Sequence, residues 1–232
     1  MNSSPTPAGT SSSATSPATP AATAPVQIVL ASSSPSRVSV LRSAGVEPLI
    51  CPPEGVDEDA LLEQLAQRSP EERVCALARA KAQSVAHRHP GAVVIGGDSM
   101  LLIDGELQGK PHTVEVAVAR WLAQRGRTAQ LVSGHCVLGP EGQEYVEAST
   151  TTLSFADVPE KDIVAYARTG EPLGCAGAFT LEAMGGWFID RIEGDPSGVI
   201  GLSLPVVRRA LYSFDIPVAA VMRPELLVHP AP

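Results

Sequence analysis

A carboxylate stands where a buried strand should be ending. Residues 92–95 are apolar, two glycines follow, and then comes Asp98. Twelve residues further on, Lys110 lies between Gly109 and Pro111. Ligands of open α/β sheets gather outside the carboxyl ends of strands. Glycines beside both residues leave the backbone open to close approach. An acid that can hold a metal or activate water, together with a lysine that can hold a phosphate, points to phosphate-ester or anhydride chemistry. The local alternative for Asp98 is a strand-end carboxylate that caps a turn. The stretch from Gly105 to Lys110 is not a true P-loop, because its glycine spacing is one residue short and Pro111 occupies the hydroxyl position. Lys110 therefore stands as an independent phosphate clamp.

Three other segments carry candidates. In Ala31-Ser-Ser-Ser-Pro-Ser-Arg37 a polar elbow leads from a strand into a helix, and a helix start offers free N–H groups to phosphate. Arg37 falls in the first turn, where a cation is disfavoured unless an anion is near. The plain alternative is a capped helix with a solvated arginine. Lys81 shares a helix face with Leu77, Ala78 and Val85, where a lysine ordinarily snorkels to water. Glu58 lies in the acidic run Val56-Asp57-Glu58-Asp59, most simply a solvated loop. His87 and His89 fit a helix end and lack a third ligand at metal-site spacing. Ser133-Gly134-His135 lacks a GxSxG elbow and reads as an ordinary strand. Residues 194–198 read as a tight loop able to present backbone amides.

The elements that must position these residues follow from periodicity and punctuation. Strands are expected at 26–31, 47–51, 129–138, 144–155, 177–181, 187–192 and 218–222, with a hairpin around Asp104-Gly105. Helices are expected from Pro35 to a stop at Gly45, then over 60–67, 70–87, 114–124, 159–168 and 204–213. Ser69-Pro70-Glu71-Glu72 reads as a capping box with proline in the first helical position. Strands and helices mix irregularly, which predicts an α/β fold with a mixed twisted sheet flanked by helices.

The 232 residues carry a net charge of −8, which argues against binding a nucleic-acid polymer or an anionic membrane. Hydrophobic residues make up 44% and aromatics only 4%, so the core is expected to be aliphatic. No apolar run approaches the ~18 residues of a membrane span. Four cysteines without CxxC spacing fit reduced thiols in a cytoplasmic protein. Residues 1–25 hold no charged side chain and are mostly Ser, Thr, Ala and Pro. They read as a disordered tail before a single domain at 26–232.

Taken in order, the motifs resemble the Maf family of nucleoside triphosphate pyrophosphatases. Leu30-Ala-Ser-Ser-Ser-Pro-Ser-Arg37 is similar to the family's L-A-S-x-S-P-R-R, and Val56-Asp-Glu58 to its acidic segment. Ala80-Lys81-Ala82, Ile95-Gly-Gly-Asp-Ser99 and Gly109-Lys-Pro111 resemble its K-A, I-G-A-D-T and G-K-P motifs. Gly170-Glu-Pro-Leu173, Ala176-Gly-Ala178 and residues 191–205 complete the pattern. The resemblance implies a deep nucleotide-binding cleft of Maf/ITPase type, an often dimeric protein, and hydrolysis between the α and β phosphates with Mg²⁺ or Mn²⁺. It implies Asp98 as the catalytic aspartate, with Glu58 beside it as a metal or acidic position. It implies Ser32, Arg37, Lys81 and Lys110 as substrate contacts. Ser36 stands where the pattern has its first arginine, and Gly97 and Ser99 replace alanine and threonine. Glu182 falls where members acting on dTTP and UTP carry glutamine; an ionised glutamate only accepts hydrogen bonds, so base preference does not transfer. Two functions from other classes compete: a nucleotide-binding regulator of cell division without useful catalysis, and a kinase-like phosphotransferase, which would need the missing P-loop.

Overall fold

A computed structural model describes residues 26–223; the tail read at 1–25 and the last nine residues lie outside them. The described chain runs β1 (Ile28–Leu30), α1 (Pro35–Ser43), β2 (Leu49–Ile50), α2 (Glu58–Gln64), α3 (Pro70–Ala86), β3 (Val93–Ile103) and β4 (Glu106–Gln108). It continues through α4 (Val114–Gln124), β5 (Thr128–Leu138), β6 (Glu144–Phe155), α5 (Glu160–Arg168), β7 (Ile189–Glu193), α6 (Pro196–Ile200) and α7 (Leu204–Ser213). One seven-stranded mixed sheet has the order β2-β1-β3-β5-β6-β7, with β4 also on β3.

The long strand β3 is the axis of the fold, and alternation of its side chains decides what packs where. Val94 joins Ala78, Ala82 and Val85 of α3, and Met100 joins Val74 and Leu77 of the same helix. On the opposite face Val93 and Ile95 pack with Leu41 of α1 and Leu211 of α7. Further along that face Leu101 and Ile103 pack with Trp121 of α4 and Tyr166 of α5. Gly97 and Ser99 fall between these two clusters and belong to neither.

Register opens the same place at the edge. β5 pairs with residues 94–102 of β3 along one side. The other side is taken by β1 at Val93–Ile95 and by β4 at Leu101–Ile103. Residues 96–100 therefore have no strand partner on that edge, and the gap becomes a cleft.

Most expected elements form. Ser69 accepts from the Glu72 N–H and Glu72 returns the bond to Ser69, the expected capping box. Thr113 and Ser203 cap α4 and α7 by accepting the N–H groups of Val116 and Val206. All four cysteines are free thiols. No helix among the described residues is long and apolar enough to cross a membrane.

Three expectations fail, each where a turn or a short helix forms in place of the element that the local pattern suggests. Residues 177–181 are not a strand: a 3-10 turn spans Ala176–Ala178, with Gly177 at φ 70° and Ala178 at φ 59°. Most of 218–222 is likewise a 3-10 turn, Val218–Ala220, behind Pro217. Residues 194–198 do not form a simple loop but lead into the short helix α6, capped by Asp195, which takes the Ser197 N–H.

Candidate active site

Asp98 reaches the open stretch because two glycines let α3 lie directly on the sheet. A side chain at Gly96 would place its Cβ 2.2 Å from the Ala78 carbonyl oxygen. At Gly134, the cross-strand partner of Asp98, a Cβ would fall 2.3 Å from the Val74 backbone carbon. Nothing larger than hydrogen fits at either position. That close approach carries Lys81 onto Asp98. The Lys81 Nζ donates to Asp98 Oδ1 at 2.7 Å and to Glu58 Oε2 at 2.8 Å.

Lys81 is 7% exposed and Asp98 8%, while the Glu58 side chain remains 46% exposed at the start of α2. The expected snorkelling lysine is thus a buried ammonium held between two carboxylates. Such a charge is tolerable only when it is paired and hydrogen-bonded. The second Asp98 oxygen, Oδ2, is buried with no hydrogen-bond partner. An orphaned carboxylate oxygen is costly, and it is the natural seat for a cation or a water proton.

The other walls of the cleft bring further cations. Arg37 lies over Gly97, where the Cβ of an alanine would sit 3.3 Å from its Nε. Its Nε donates to the Gly201 carbonyl at 2.9 Å and its Nη1 to Ser32 Oγ at 3.1 Å. Burial holds its guanidinium below the ordinary range, opposed by the carboxylates of Asp98 and Glu58. Ser32 also accepts from the Ser34 N–H, so one buried hydroxyl shapes the elbow into α1. Lys110 follows β4 across the gap and is exposed. Its loop is held by Arg120, which donates to the Gly109 carbonyl at 2.6 Å, and by the His112 N–H on the Leu173 carbonyl.

Ser32, Arg37, Glu58, Lys81, Asp98, Lys110 and Glu182 all line one cleft of about 830 Å³. Glu182 lies on the far wall beside Cys175, Phe179 and Thr180, its carboxylate taking the N–H of Leu181 at 3.1 Å. That wall hangs on Glu171. One carboxylate accepts from the Tyr166 hydroxyl at 3.1 Å, the Thr180 hydroxyl, and the N–H groups of Gly185 at 3.0 Å and Met184 at 3.3 Å. These bonds keep its pKa below the usual carboxylate value although burial pushes the other way.

Ser133 and His135 do not form a nucleophile and base. The Ser133 hydroxyl donates to the Gly198 carbonyl and accepts from Ser99, tying α6 to the sheet. His135 Nε2 accepts from the Ser203 N–H, so its proton sits on Nδ1 toward the Glu147 carbonyl. Burial, helped by the Arg37 charge, lowers its pKa to about 4.

Sequence reasoning missed Arg73, Arg120 and Glu171. No local signal marks the arginines within their amphipathic helices, and Glu171 acts through bonds to residues five to fourteen positions away. The Gly-Glu-Pro-Leu motif was the one available signal for Glu171.

Residues 27–214 match the Maf-like protein family. A nucleoside triphosphate pyrophosphatase of Corynebacterium diphtheriae is 69% identical over 188 residues, covering 81% of this chain and 94% of that protein. A protein of the same name from Nocardia farcinica is 51% identical over 213 residues, covering 88% and 98%. Among solved structures, a nucleoside-triphosphatase described as a dITP/XTP pyrophosphatase, from Mycobacterium abscessus, overlaps 58% of this chain and 75% of its own at 22% identity and a TM-score of 0.32. With the family match spanning most of its length, the chain belongs to the Maf-like proteins.

Proposed function

We propose that the protein hydrolyses nucleoside triphosphates at the α–β phosphoanhydride, giving a nucleoside monophosphate and pyrophosphate. One observation carries the reading: a buried carboxylate with a free oxygen, pinned by a lysine, at the floor of a cleft that arginine and lysine enter from both sides. A triphosphate brings about four negative charges, which such a cleft can oppose only with cations from its walls and a divalent metal.

Asp98 fits a metal through its unpartnered Oδ2, and Glu58 is the second candidate ligand. No group of three His, Cys, Asp or Glu among the described residues could hold an ion alone. Mg²⁺ commonly binds through one or two carboxylates together with substrate phosphates, and Mn²⁺ would suit the same donors. When bound, the metal supplies Lewis-acid charge neutralisation at the phosphates.

The chain's own residues do the rest. Lys81 fixes the Asp98 rotamer, so that Oδ2 either holds the metal or orients water and accepts its proton. Arg37 and Lys110 stabilise charge that grows on the pyrophosphate leaving group. Ser32 keeps Arg37 aimed across Gly97. Glu182, an acceptor on the opposite wall, meets the nucleoside.

The test is a panel of nucleoside triphosphates incubated with Mg²⁺. Pyrophosphate and monophosphate in equal amounts are expected. Orthophosphate release would overturn the reading, and nucleotide bound but unconverted would mark a regulator instead.

A further inference from the structure

The cations of the cleft differ in how they are occupied. Lys81 is taken by two carboxylates, and Arg37 by a carbonyl and a hydroxyl. Arg73, in the first turn of α3, also lines the cleft and is half-buried. Its Nε is buried without an acceptor. No ion pair among the described residues includes it. This holds although Asp57, Glu58 and Asp59 line the same cleft. Asp57 is spent capping α2 on the Ala60 N–H, and Glu58 is spent on Lys81. A guanidinium left unpaired beside an acidic wall, with one buried donor orphaned, is an unsatisfied anion site rather than a structural ion pair.

Its position says which anion. Arg73 lies eight residues before Lys81 on one helix, about 12 Å along the axis. Helical side chains lean toward the N-terminus, so Lys81 points back toward the turn that carries Arg73. Leu62, Met100 and Leu107 of the cleft pack with Val74 and Leu77 of α3, whereas Phe179, three residues before Glu182, packs with Leu101 on the other face of β3. A nucleotide reacting at Asp98 with its nucleoside toward Glu182 would send its outer phosphates toward Arg73. Ser36, at the start of α1 in the same cleft, brings no charge there.

We propose that Arg73 is a substrate-binding residue that grips the β and γ phosphates of the triphosphate, and hence the pyrophosphate product. The proposal rests on the pyrophosphatase reading for its orientation.

Calorimetric titration separates the two. Pyrophosphate with Mg²⁺, and each of the four common nucleoside monophosphates, would be titrated into wild type and Arg73→Ala, with pyrophosphate release assayed in parallel. Pyrophosphate affinity should fall about tenfold or more in the variant, the loss of one charge-assisted hydrogen bond. Monophosphate affinity should stay within about twofold, and KM for the triphosphate should rise with the pyrophosphate loss. Arg73→Gln, which keeps the stem and removes the charge, carries the same comparison should the alanine variant unfold. Unchanged pyrophosphate affinity overturns the proposal, as does a loss confined to the monophosphates. Wild type that binds pyrophosphate through Arg73 but converts no triphosphate would sink the pyrophosphatase reading and leave the anion site standing.

Discussion

The two walls of the cleft are held by different means. On the α3 side, position is set by secondary structure: a seventeen-residue helix lies on β3 and β5 through Gly96 and Gly134, and the Asp98–Lys81 pair is a by-product of that contact. On the far side, residues 170–188 form short 3-10 turns with no strand or α-helix among them. There one carboxylate, Glu171, gathers the segment that presents Glu182. On the proposed reading the first wall holds Asp98, the group that does chemistry, so a misplacement there should change both rate and stability. On the same reading the second holds Glu182, which would meet the nucleoside, on short turns rather than on a strand or long helix. Chemistry is thus placed, on that reading, on the stiff wall and nucleoside recognition on the adjustable one.

That contrast can be broken at several points. Asp98→Asn keeps an oxygen for Lys81, so the protein should fold with a nearly unchanged thermal midpoint while kcat falls about 10²–10⁴-fold. Full activity in the folded variant would remove Asp98 from the mechanism. Gly134→Ala drives a methyl group into the Val74 backbone and should cost about 3 kcal/mol or more of stability, read by urea unfolding. An equal loss from a substitution at open Gly174 would erase the difference between the walls.

The sheet face opposite α3, where His135 meets the Ser203 cap of α7, carries a pH signature. His135 has a folded pKa near 4 against 6.5 in the unfolded chain, so its burial stabilises fully above pH 6.5. That contribution is lost as pH falls from 6.5 toward 4, on the order of 3 kcal/mol. His135→Gln should flatten this part of the stability profile relative to wild type. The smallest effect is expected at the adjustable wall. Glu171→Gln should raise KM by about tenfold, near 1.4 kcal/mol of binding, with kcat little changed. A fall in kcat with KM constant would place Glu171 in the chemical step instead.

Legibility in the sequence followed the same division. The capping box at Ser69, the helix over 114–124, the strand over 144–155 and the glycine-flanked Asp98 announce themselves through local pattern; the capped α3 and Asp98 build the stiff wall and the floor, while α4 packs behind the far wall. Lys81 looked like a surface lysine because its partners come from positions 58 and 98, and only packing through Gly96 and Gly134 brings them together. The segment 177–181 looked like a strand because Ala178 and Phe179 are buried, but they are buried under Trp121 and Phe155 without a neighbouring strand. Trp121 donates to the Ala178 carbonyl, a bond that no pattern within the segment signals. Arg73 gave no local sign either, since what marks it is the absence of a partner.

The central claim is that water, oriented at Asp98, attacks the α phosphorus. Turnover of a nucleoside triphosphate in H₂¹⁸O, followed by mass spectrometry of both products, tests it directly. The account predicts one ¹⁸O in the nucleoside monophosphate and none in pyrophosphate. Label in pyrophosphate would place the attack on the β phosphorus and contradict it.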